Sequence, residues 1–372
     1  MSTPEGKGRN TRLIYQFISD NGSVSKQEIV ICLKLSLPTV TQNLVYLEGQ
    51  GLIDTNSKIT NTGGRNATAF SYIENAKVAI GVDITNNHIR LVMINLSGNV
   101  VKVMKLRQLY DNTDEYLKIL GEAVEEIVRE CNVPEASILG VGIAVPGLVS
   151  EEEQKVTYGV VIPNKGMTAE RYAKYIKYPV KLFHDAHAAG YAEVWSSKNI
   201  NNAFYISLCN SVGGCVLIDN VVYRGNTNKA GEIGHMIVSQ HGEECYCGQA
   251  GCLETCCNAL ILSKLADGNL NEFFNLLASG NEDAVKAWDQ YLGFLALAIS
   301  NVHILFDSDI IVGGYVGSYI EEYIEDLRNR VDALNPFKDS SEKYLFPCKY
   351  KMESVAAGAA INFIGDFIKN IG

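Results

Sequence analysis

Hydrophobic residues recur at helical spacing through the first fifty positions of the chain. The first predicted helix has one apolar face, formed by Leu13, Ile14, Phe17 and Ile18. Ser25, with Glu28 three residues later, predicts a capping box at the start of a second helix. The third predicted helix is capped by Ser36 and turns inward Leu37, Val40, Leu44 and Leu47. These patterns predict three short helices joined by tight turns.

After the third helix the pattern changes to a short hairpin. Leu52-Ile53 opens a strand, Gly63-Gly64-Arg65 forms the tip, and the hairpin ends near Tyr72. Three helices followed by a hairpin resemble the winged helix-turn-helix of bacterial repressors. The third helix would then read base edges through the side chains of Thr39, Thr41, Gln42 and Asn43. Arg65 would enter a minor groove or hold a phosphate; the alternative is a three-helix module that binds protein.

From about residue 78 the chain changes to strands and longer helices. The first half predicts strands at 78–84, 89–96 and 100–105, a helix capped by Thr113, and a buried strand at 138–145. The second half repeats this order, with strands predicted at 203–208, 215–218, 221–224 and 310–312. Two similar halves around a cleft resemble the α/β actin-like (ribonuclease H-like) fold of ATPases and sugar kinases, built in two lobes.

These patterns divide the chain into a head and a body. We expect a winged helix-turn-helix domain at 1–72, a linker at 73–77 and a kinase-like domain at 78–372. Lobe 1 would comprise about 78–195 together with a last helix at 353–372, and lobe 2 would comprise about 196–352.

Charge is unevenly divided between these parts. The formal net charge is −10, from 32 basic and 42 acidic residues. Residues 1–72 hold seven basic and five acidic residues, a balance of +2, which leaves −12 for the remainder. A mildly basic head on an acidic body favours a nucleic-acid module in the head, because the body then repels DNA from the wrong surface.

Composition predicts a cytoplasmic globular protein. The chain has 372 residues, of which 47% are hydrophobic and 20% charged. Residues 1–10 lack the apolar segment of a signal peptide. The longest apolar stretch, 291–306, is short for a membrane span and fits a buried helix better.

One stretch of the second half carries a specific motif. Glu232-Ile-Gly-His235 is followed by Cys245-Tyr-Cys247-Gly-Gln-Ala-Gly-Cys252-Leu-Glu254. This stretch resembles the signature of the ROK family (repressor, open reading frame, kinase), and the pieces at 142–147, 185–189 and 223–235 follow in the family's order. With the predicted head in front, the chain is similar to the branch of xylose and N-acetylglucosamine repressors.

Three of the ten cysteines form a metal-binding pattern. Cys245, Cys247 and Cys252 lie on one tight loop, and His235 supplies a fourth ligand. Four protein ligands of this type suit tetrahedral Zn²⁺ and leave no open position, so we expect a structural zinc site. The alternative is four buried or reactive side chains without a metal.

The family resemblance also implies a sugar site. The family's sugar contacts correspond here to Asn164, Asp185, Glu232, His235 and Glu254. Asp185 matches the general base that takes a proton from the attacking sugar hydroxyl. Alternatively, Asn164 caps a turn after Pro163, Asp185 caps the following helix, and the two glutamates have surface roles. His184 stands where the family has an Asn, and we expect it to contact the sugar and alter which sugar fits.

The phosphate loops depart from the family. ROK kinases carry a turn of the type Asp-x-Gly-Gly-Thr-Lys, whereas this chain has Asp83-Ile-Thr-Asn-Asn-His88. The second loop, usually Gly-Thr-Gly-x-Gly-Gly, is Cys209-Asn-Ser-Val-Gly-Gly214. The missing glycines and lysine would otherwise stabilise the charge of the transferred phosphoryl group. We therefore expect a degenerate kinase that is no longer an enzyme.

Together these features predict a sugar-responsive transcriptional repressor. Its partners would be operator DNA, a sugar effector and a second copy of the chain, as a homodimer or a dimer of dimers. One alternative is a ROK sugar kinase with a regulatory DNA-binding head. Another is a sugar sensor that acts through a protein partner.

Overall fold

A computed structural model describes residues 4–59, 67–150, 152–197 and 199–372. Its helices are α1 Pro4–Asn21, α2 Lys26–Leu33, α3 Leu37–Gly49, α4 Asp114–Cys131, α5 Ala169–Tyr172, α6 Asp185–Ser196, α7 Glu254–Cys257, α8 Ala259–Ser263, α9 Leu270–Ala278, α10 Glu282–Phe306, α11 Gly314–Gly317, α12 Ile324–Leu334 and α13 Ser354–Lys369. Its strands are β1 Ser23–Ser25, β2 Ile53–Ile59, β3 Ala67–Tyr72, β4 Val78–Ile84, β5 His88–Asn95, β6 Val100–Arg107, β7 Ile138–Val145, β8 Leu148–Ser150, β9 Lys155–Tyr158, β10 Val180–His184, β11 Ala203–Leu208, β12 Val212–Ile218, β13 Val221–Tyr223, β14 Asp309–Gly313 and β15 Leu345–Pro347.

The head contains the predicted elements. Helices α1, α2 and α3 pack beside a small sheet of order β1-β3-β2. The Ser25 hydroxyl accepts from the Glu28 N–H while the Glu28 carboxylate accepts from the Ser25 N–H, which is the predicted capping box. Ser36 caps α3 by accepting from the Thr39 N–H. The hairpin tip with Arg65 lies outside the described residues.

The predicted core of the head needs two corrections. Leu37 is 54% exposed, because the first turn of α3 extends past the core and leaves its neighbours exposed as well. Leu13 is also exposed, and Tyr15 instead lies in the core beside Ile14 and Ile18. The other inward positions of α3, which are Val40, Leu44 and Leu47, are buried as predicted.

The body consists of two sheets with the same topology. Lobe 1 has the order β10-β7-β4-β5-β6 and lobe 2 has the order β13-β12-β11-β14-β15. In each sheet the first strand of the lobe is central, pairing antiparallel with the second strand and parallel with the fourth. Both therefore have the order 3-2-1-4-5, which confirms the predicted duplicated, two-lobed actin-like fold.

Strand β12 begins three residues earlier than predicted. Gly213 and Gly214, which precede the predicted strand and end the second loop, pair with Ser207 and Ile206 of β11. A Cβ on Gly214 would lie 2.5 Å from the Gly231 carbonyl oxygen. The glycine therefore lets a neighbouring segment pass close to the strand, rather than turning the chain.

The last helix, α13, packs across the sheet of lobe 1 and against α6. It approaches the strands so closely that a Cβ on Gly81 would lie 1.7 Å from the Ala356 carbonyl oxygen. A Cβ on Gly142 would lie 2.2 Å from the Ala359 carbonyl oxygen. Glycine is thus required where α13 crosses the two strands on the sheet of lobe 1.

Two contacts fasten the head to lobe 1. The Arg12 guanidinium donates to the carbonyl of Lys369 at the end of α13, at 2.7 Å. In the predicted linker, the Glu74 carbonyl accepts from the Leu96 N–H at 2.9 Å. The first contact joins the head itself to lobe 1, and the second joins the linker to the same lobe.

The chain crosses back from lobe 2 to lobe 1 at residues 348–353. Here the buried carboxylate of Glu193, on α6, accepts from the backbone N–H groups of Lys349 and Tyr350 at 2.8 and 2.9 Å. The Tyr350 hydroxyl donates to the Gly98 carbonyl at 2.7 Å. This crossing segment, which we call the hinge, thus contacts both α6 and the β5–β6 turn.

Among the described residues, no helix has the length and apolar content to cross a membrane.

Candidate functional site

A cleft open to solvent lies where β10 ends and α6 begins. Its other walls come from the start of β12, from the short 3-10 helix at 233–235 and from the loops around Pro146 and Val160. The fold places the cleft at the carboxyl end of a parallel strand, where α/β sheets commonly bind ligands.

Asp185 is the first residue of α6 and faces the cleft. One of its carboxylate oxygens accepts from the Ala186 N–H at 2.7 Å, so it also satisfies the helix N-terminus. Burial raises the pKa of Asp185 to about 6. The N-cap position of α6 is held by His184, so Asp185 faces the cleft without being the capping residue predicted as the alternative.

His184 precedes Asp185 and also lines the cleft. Its Nε2 lies 3.4 Å from an Asp185 oxygen and 4.0 Å from a Glu232 oxygen. Burial lowers the pKa of His184 to about 4, so its ring is neutral near pH 7. Its ring packs edge-on against His187 at 4.5 Å. Among the described residues, neither His184 Nδ1 nor His187 Nε2 has a hydrogen-bond partner.

Glu232 completes the polar wall of the cleft. It stands immediately before the 3-10 helix that ends at His235, and both side chains line the cleft. Burial, together with the nearby charge of Asp185, raises the pKa of Glu232 to about 7. We call Asp185, His184 and Glu232 the carboxylate half of the cleft.

Glu254 lies behind the cleft wall rather than in it. The side chain is buried, and one oxygen accepts from the Val212 N–H at 2.6 Å. Burial raises the pKa of Glu254 to about 7. Glu254 therefore holds the start of β12 in place, and it does not itself line the cleft.

Asn164 is not in the cleft, and this expectation needs correction. The residue is completely buried, and its side-chain amide donates to the Pro146 carbonyl at 3.0 Å. Gly159 lies so close to Asn164 that a Cβ added to Gly159 would be 2.1 Å from the Asn164 side-chain oxygen. The loop that carries Gly159 therefore packs tightly against Asn164. Asn164 thus supports the loop that forms one wall, which is nearer to the turn role than to direct contact.

The structure brings together the four residues predicted to bind a metal. One ligand atom from each of His235, Cys245, Cys247 and Cys252 lies within 4.8 Å of the others. Cys245 Sγ is 3.8 Å from His235 Nδ1, and Cys247 Sγ is 3.7 Å from Cys252 Sγ. Ligands bound tetrahedrally at about 2.3 Å lie roughly 3.8 Å apart, so the cluster could hold a single metal ion.

The backbone of the cysteine loop explains why a glycine stands beside the third cysteine. Gly251 has a φ of 76°, and a Cβ there would lie 1.7 Å from the Ser239 carbonyl oxygen. The loop closes through the Cys245 N–H, which donates to Gln249, and the Gly248 N–H, which donates to Cys245. A tightly closed loop holds the three thiols on one side.

Several residues of the cleft escaped the sequence analysis, among them Tyr246. Tyr246 lies between two of the cysteines, lines the cleft and places its hydroxyl 3.4 Å from His235 Nε2. Its position inside the Cys-x-Cys pattern was a signal that could have identified it. His235 Nδ1 faces the thiols, whereas Nε2 faces this tyrosine, so one ring joins the cluster to the cleft.

Side chains of both lobes pack together near Asp83, the first residue of the stretch that departs from the family's phosphate turn. Buried Asp83 lies 3.8 Å from Arg90, whose guanidinium also donates to the Met352 carbonyl. The same guanidinium lies 5.8 Å from the centre of the Tyr315 ring in lobe 2. Burial raises the pKa of Asp83 to about 6 despite Arg90. We call Asp83, Arg90 and Tyr315 the loop half of the cleft.

Backbone and hydroxyl groups near the loop half are also engaged. The Thr85 hydroxyl donates to the His88 carbonyl and accepts from the His88 N–H. The carbonyl groups of Asn86 and Asn87 accept from the N–H groups of Tyr110 and Gln108. This turn therefore satisfies its own polar groups.

The third helix of the head presents part of its predicted face. Gln42 is exposed, and Thr39 and Thr41 are half-buried. Asn43 is buried, and its prediction as a base-reading residue is wrong: its amide donates to the Thr39 carbonyl and its oxygen accepts from Thr11. The exposed face instead includes Val45 and Tyr46.

The fold has two lobes whose sheets share the strand order 3-2-1-4-5, with a cleft between them and a three-helix head in front. These features define the class of actin-like sugar-kinase folds, here with an additional N-terminal module. The chain belongs to the ROK family, whose family model matches residues 79–364. This match confirms the resemblance drawn from the cysteine motif.

Known relatives include both regulators and kinases. A putative xylose repressor from Caldicellulosiruptor sp. (strain Rt8B.4) is 26% identical over 332 residues, covering 82% of each chain. A ROK family transcriptional regulator, described as a homologue of the E. coli MLC protein, has a TM-score of 0.74 at 21% identity and covers 98% of this chain and 96% of its own. A ROK glucokinase from Streptomyces griseus, in complex with glucose and AMPPNP, has a TM-score of 0.63 at 21% identity and covers 77% of this chain and 98% of its own. The regulator thus shares nearly the whole fold, whereas the kinase matches a smaller part.

Proposed function

We propose that this chain is a sugar-responsive transcriptional repressor. The observation that carries the proposal is the presence, in one chain, of a helix-turn-helix head fastened to lobe 1 and a cleft whose carboxylate half faces solvent. The likeness to a putative xylose repressor supports the same function. The head would bind operator DNA and the cleft would bind the sugar effector.

DNA binding is assigned to the exposed face of α3. Gln42 is the most accessible of the predicted base-reading residues, and Thr39 and Thr41 flank it. A second copy of the chain would present a second α3 to the next major groove, which doubles the phosphate contacts. Arg65 remains a candidate for a minor-groove or phosphate contact.

Sugar binding is assigned to Asp185, Glu232, His184 and His235. Carboxylate oxygens accept from sugar hydroxyls, and a neutral imidazole can donate or accept. The buried ring nitrogen of His184 that lacks a protein partner is consistent with a polar ligand nearby. Glu254 would act indirectly by holding the start of β12, and Asn164 by supporting the loop over the cleft.

The His235 and cysteine cluster would hold a structural Zn²⁺. Three thiolates and one imidazole fill a tetrahedral shell, so the ion would cross-link the loop rather than take part in chemistry. His235 would bind through Nδ1 and present Nε2 towards Tyr246 and the cleft. The zinc site would thus fix the orientation of one sugar contact.

A chain of contacts would carry the sugar signal to the head. Asp185 begins α6, and Glu193 in the same helix accepts from both hinge N–H groups. Tyr350 in the hinge contacts the Gly98 turn, and this turn adjoins Glu74 in the linker. Closing the lobes on a sugar would therefore shift the linker, and the operator is released if the closed form binds DNA less well.

The second candidate is an active sugar kinase, favoured by the likeness to a ROK glucokinase. Asp185 would be its general base. The loop half argues against it, because Arg90 and Tyr315 pack where glycine-rich loops would otherwise admit phosphates. We therefore propose that phosphoryl transfer has been lost.

A fluorescence anisotropy titration tests the repressor function. The full chain is titrated onto DNA from its own promoter region, with and without a panel of sugars. We expect binding that weakens steeply with salt and is changed at least tenfold by one sugar. Gln42→Ala should weaken binding by about tenfold, from the loss of one base contact.

The matched control is Gln27→Ala, on the exposed surface of α2 outside the third helix. An equal loss of DNA affinity in Gln42→Ala and Gln27→Ala would argue against contact between α3 and the bases. No binding to any promoter fragment, with or without sugars, would exclude the repressor. Sugar-dependent ATP turnover that Asp185→Asn abolishes would establish the kinase instead.

A further inference from the structure

The cleft has negative side chains but, among the described residues, no lysine or arginine lines it. Asp185 and Glu232 both face the open space. Glu254 lies directly behind the wall, within hydrogen-bond distance of Val212. Three carboxyl groups therefore surround the cavity without a compensating cation.

Two backbone donors of the cleft that could hold an anion are already used. A helix N-terminus is a common phosphate site, and α6 begins in the cleft. There the Ala186 N–H donates to Asp185. At the facing wall the Val212 N–H donates to Glu254 at 2.6 Å. In both places a carboxylate of the chain occupies the position that a phosphate oxygen would take.

The nearest basic and metal-binding groups do not reverse this charge. Arg90 is paired with Asp83 and with the Met352 carbonyl. Arg224 does not line the cleft, and its Nη1 donates to the Val222 carbonyl at 3.1 Å. Three thiolates around a divalent ion would leave that centre with a net charge of about −1. His184 is uncharged near pH 7 because burial lowers its pKa.

We infer that the cleft selects an unphosphorylated sugar and rejects the phosphate ester of the same sugar. This inference rests on the proposed function and narrows its effector to one chemical class. A phosphate brought into the cleft would meet the carboxylates of Asp185 and Glu232, and the hydroxyl and imidazole groups of the wall, which are neutral, would not offset its charge. The effector would therefore be a sugar taken up or released without phosphorylation, rather than the product of a kinase.

Calorimetry on the full chain with paired ligands tests the inference. The pairs are glucose and glucose 6-phosphate, mannose and mannose 6-phosphate, N-acetylglucosamine and its 6-phosphate, and xylose and xylose 5-phosphate. For any sugar that binds, we expect the free form to bind at least about 30-fold more tightly than the ester. An ester that binds as tightly as the free sugar overturns the inference and leaves the repressor function standing.

A charge introduced at the cleft provides a second test. Val161 lines the cleft and is 41% exposed, so Val161→Lys places a cation there and Val161→Met is the control of similar size. Relative to Val161→Met, we expect the ratio of ester affinity to free-sugar affinity to rise about tenfold in Val161→Lys. An unchanged ratio in a folded variant would contradict the electrostatic cause.

The remaining outcome separates this inference from the proposed function. If neither member of any pair binds while promoter DNA is still bound, the sugar response itself is wrong and the inference falls with it. If only esters bind, the response is retained and the inference alone is wrong.

Discussion

The carboxylate half and the loop half of the cleft use buried polar groups in opposite ways. In the carboxylate half, Asp185 and Glu232 face open space and His184 has a buried nitrogen without a protein partner. In the loop half, Asp83 and Arg90 are paired with each other, and Arg90 also contacts the hinge. A buried polar group without a protein partner leaves room for a ligand or an ordered water, whereas a paired group does not. On the proposed function, the difference teaches that one half of the cleft binds the sugar and the other holds the lobes together.

The largest expected effect comes from the metal cluster beside the carboxylate half. Cys252→Ser should abolish stoichiometric zinc, lower the free energy of unfolding by roughly 3 kcal/mol or more, and weaken sugar binding, because His235 loses its support. Metal analysis and denaturant unfolding measure these changes. Cys256→Ser, outside the cluster, is the control and should retain zinc. Full stability without zinc would show that the cluster has no structural role.

The loop half should respond through stability alone. Arg90→Met leaves the buried Asp83 without its partner and should cost roughly 3 kcal/mol in unfolding free energy. Sugar-dependent ATP turnover should be absent both before and after the change. Arg107→Met, an exposed change on β6, is the control. Sugar-dependent ATP turnover in the wild type or in Arg90→Met would contradict the distinction between the two halves of the cleft.

The carboxylate half should respond through binding alone. Asp185→Asn removes a charged hydrogen-bond acceptor, and sugar affinity should fall about 30-fold, or roughly 2 kcal/mol. Calorimetry measures this loss, and denaturant unfolding should show no comparable destabilisation. Asp219→Asn, in a surface turn whose positive φ suits asparagine, is the control. Unchanged sugar affinity would remove Asp185 from the site.

The smallest effect concerns the hinge that both halves share. Burial raises the pKa of Glu193 to about 7, although its hydrogen bonds and the nearby Lys349 and Lys351 oppose this. Between about pH 4.5 and 7 the folded state keeps a proton that the unfolded state has lost, so stability falls as pH rises. The free energy of unfolding of the wild type minus that of Glu193→Gln should fall by about 1 kcal/mol from pH 6 to 7. Glu122→Gln, an exposed change on α4 away from the hinge, is the control, and a flat difference curve would contradict the raised pKa.

Much of the fold and the metal cluster could be predicted from local patterns. The Ser25 capping box, the strand at 138–145 and the cysteine loop depend on residues close in sequence, and the structure contains each of them. The ROK family model confirms the family resemblance.

The errors arose where burial depends on distant partners. Asn43 is buried because α1 brings Thr11 to it, 32 residues away. Asn164 is buried under a loop fixed by Pro146, and Arg90 meets Met352 across 262 residues. Helical periodicity and motif spacing carry no information about such pairings, so these roles could not be predicted from the sequence.

The contact between Arg12 and Lys369 joins residues separated by 357 positions. During synthesis the head emerges from the ribosome first, but its support on α13 emerges only after both lobes. Until then the three helices can fold without being held at the angle that the body imposes. Nascent or prematurely terminated chains would therefore carry a DNA-reading helix that no sugar controls.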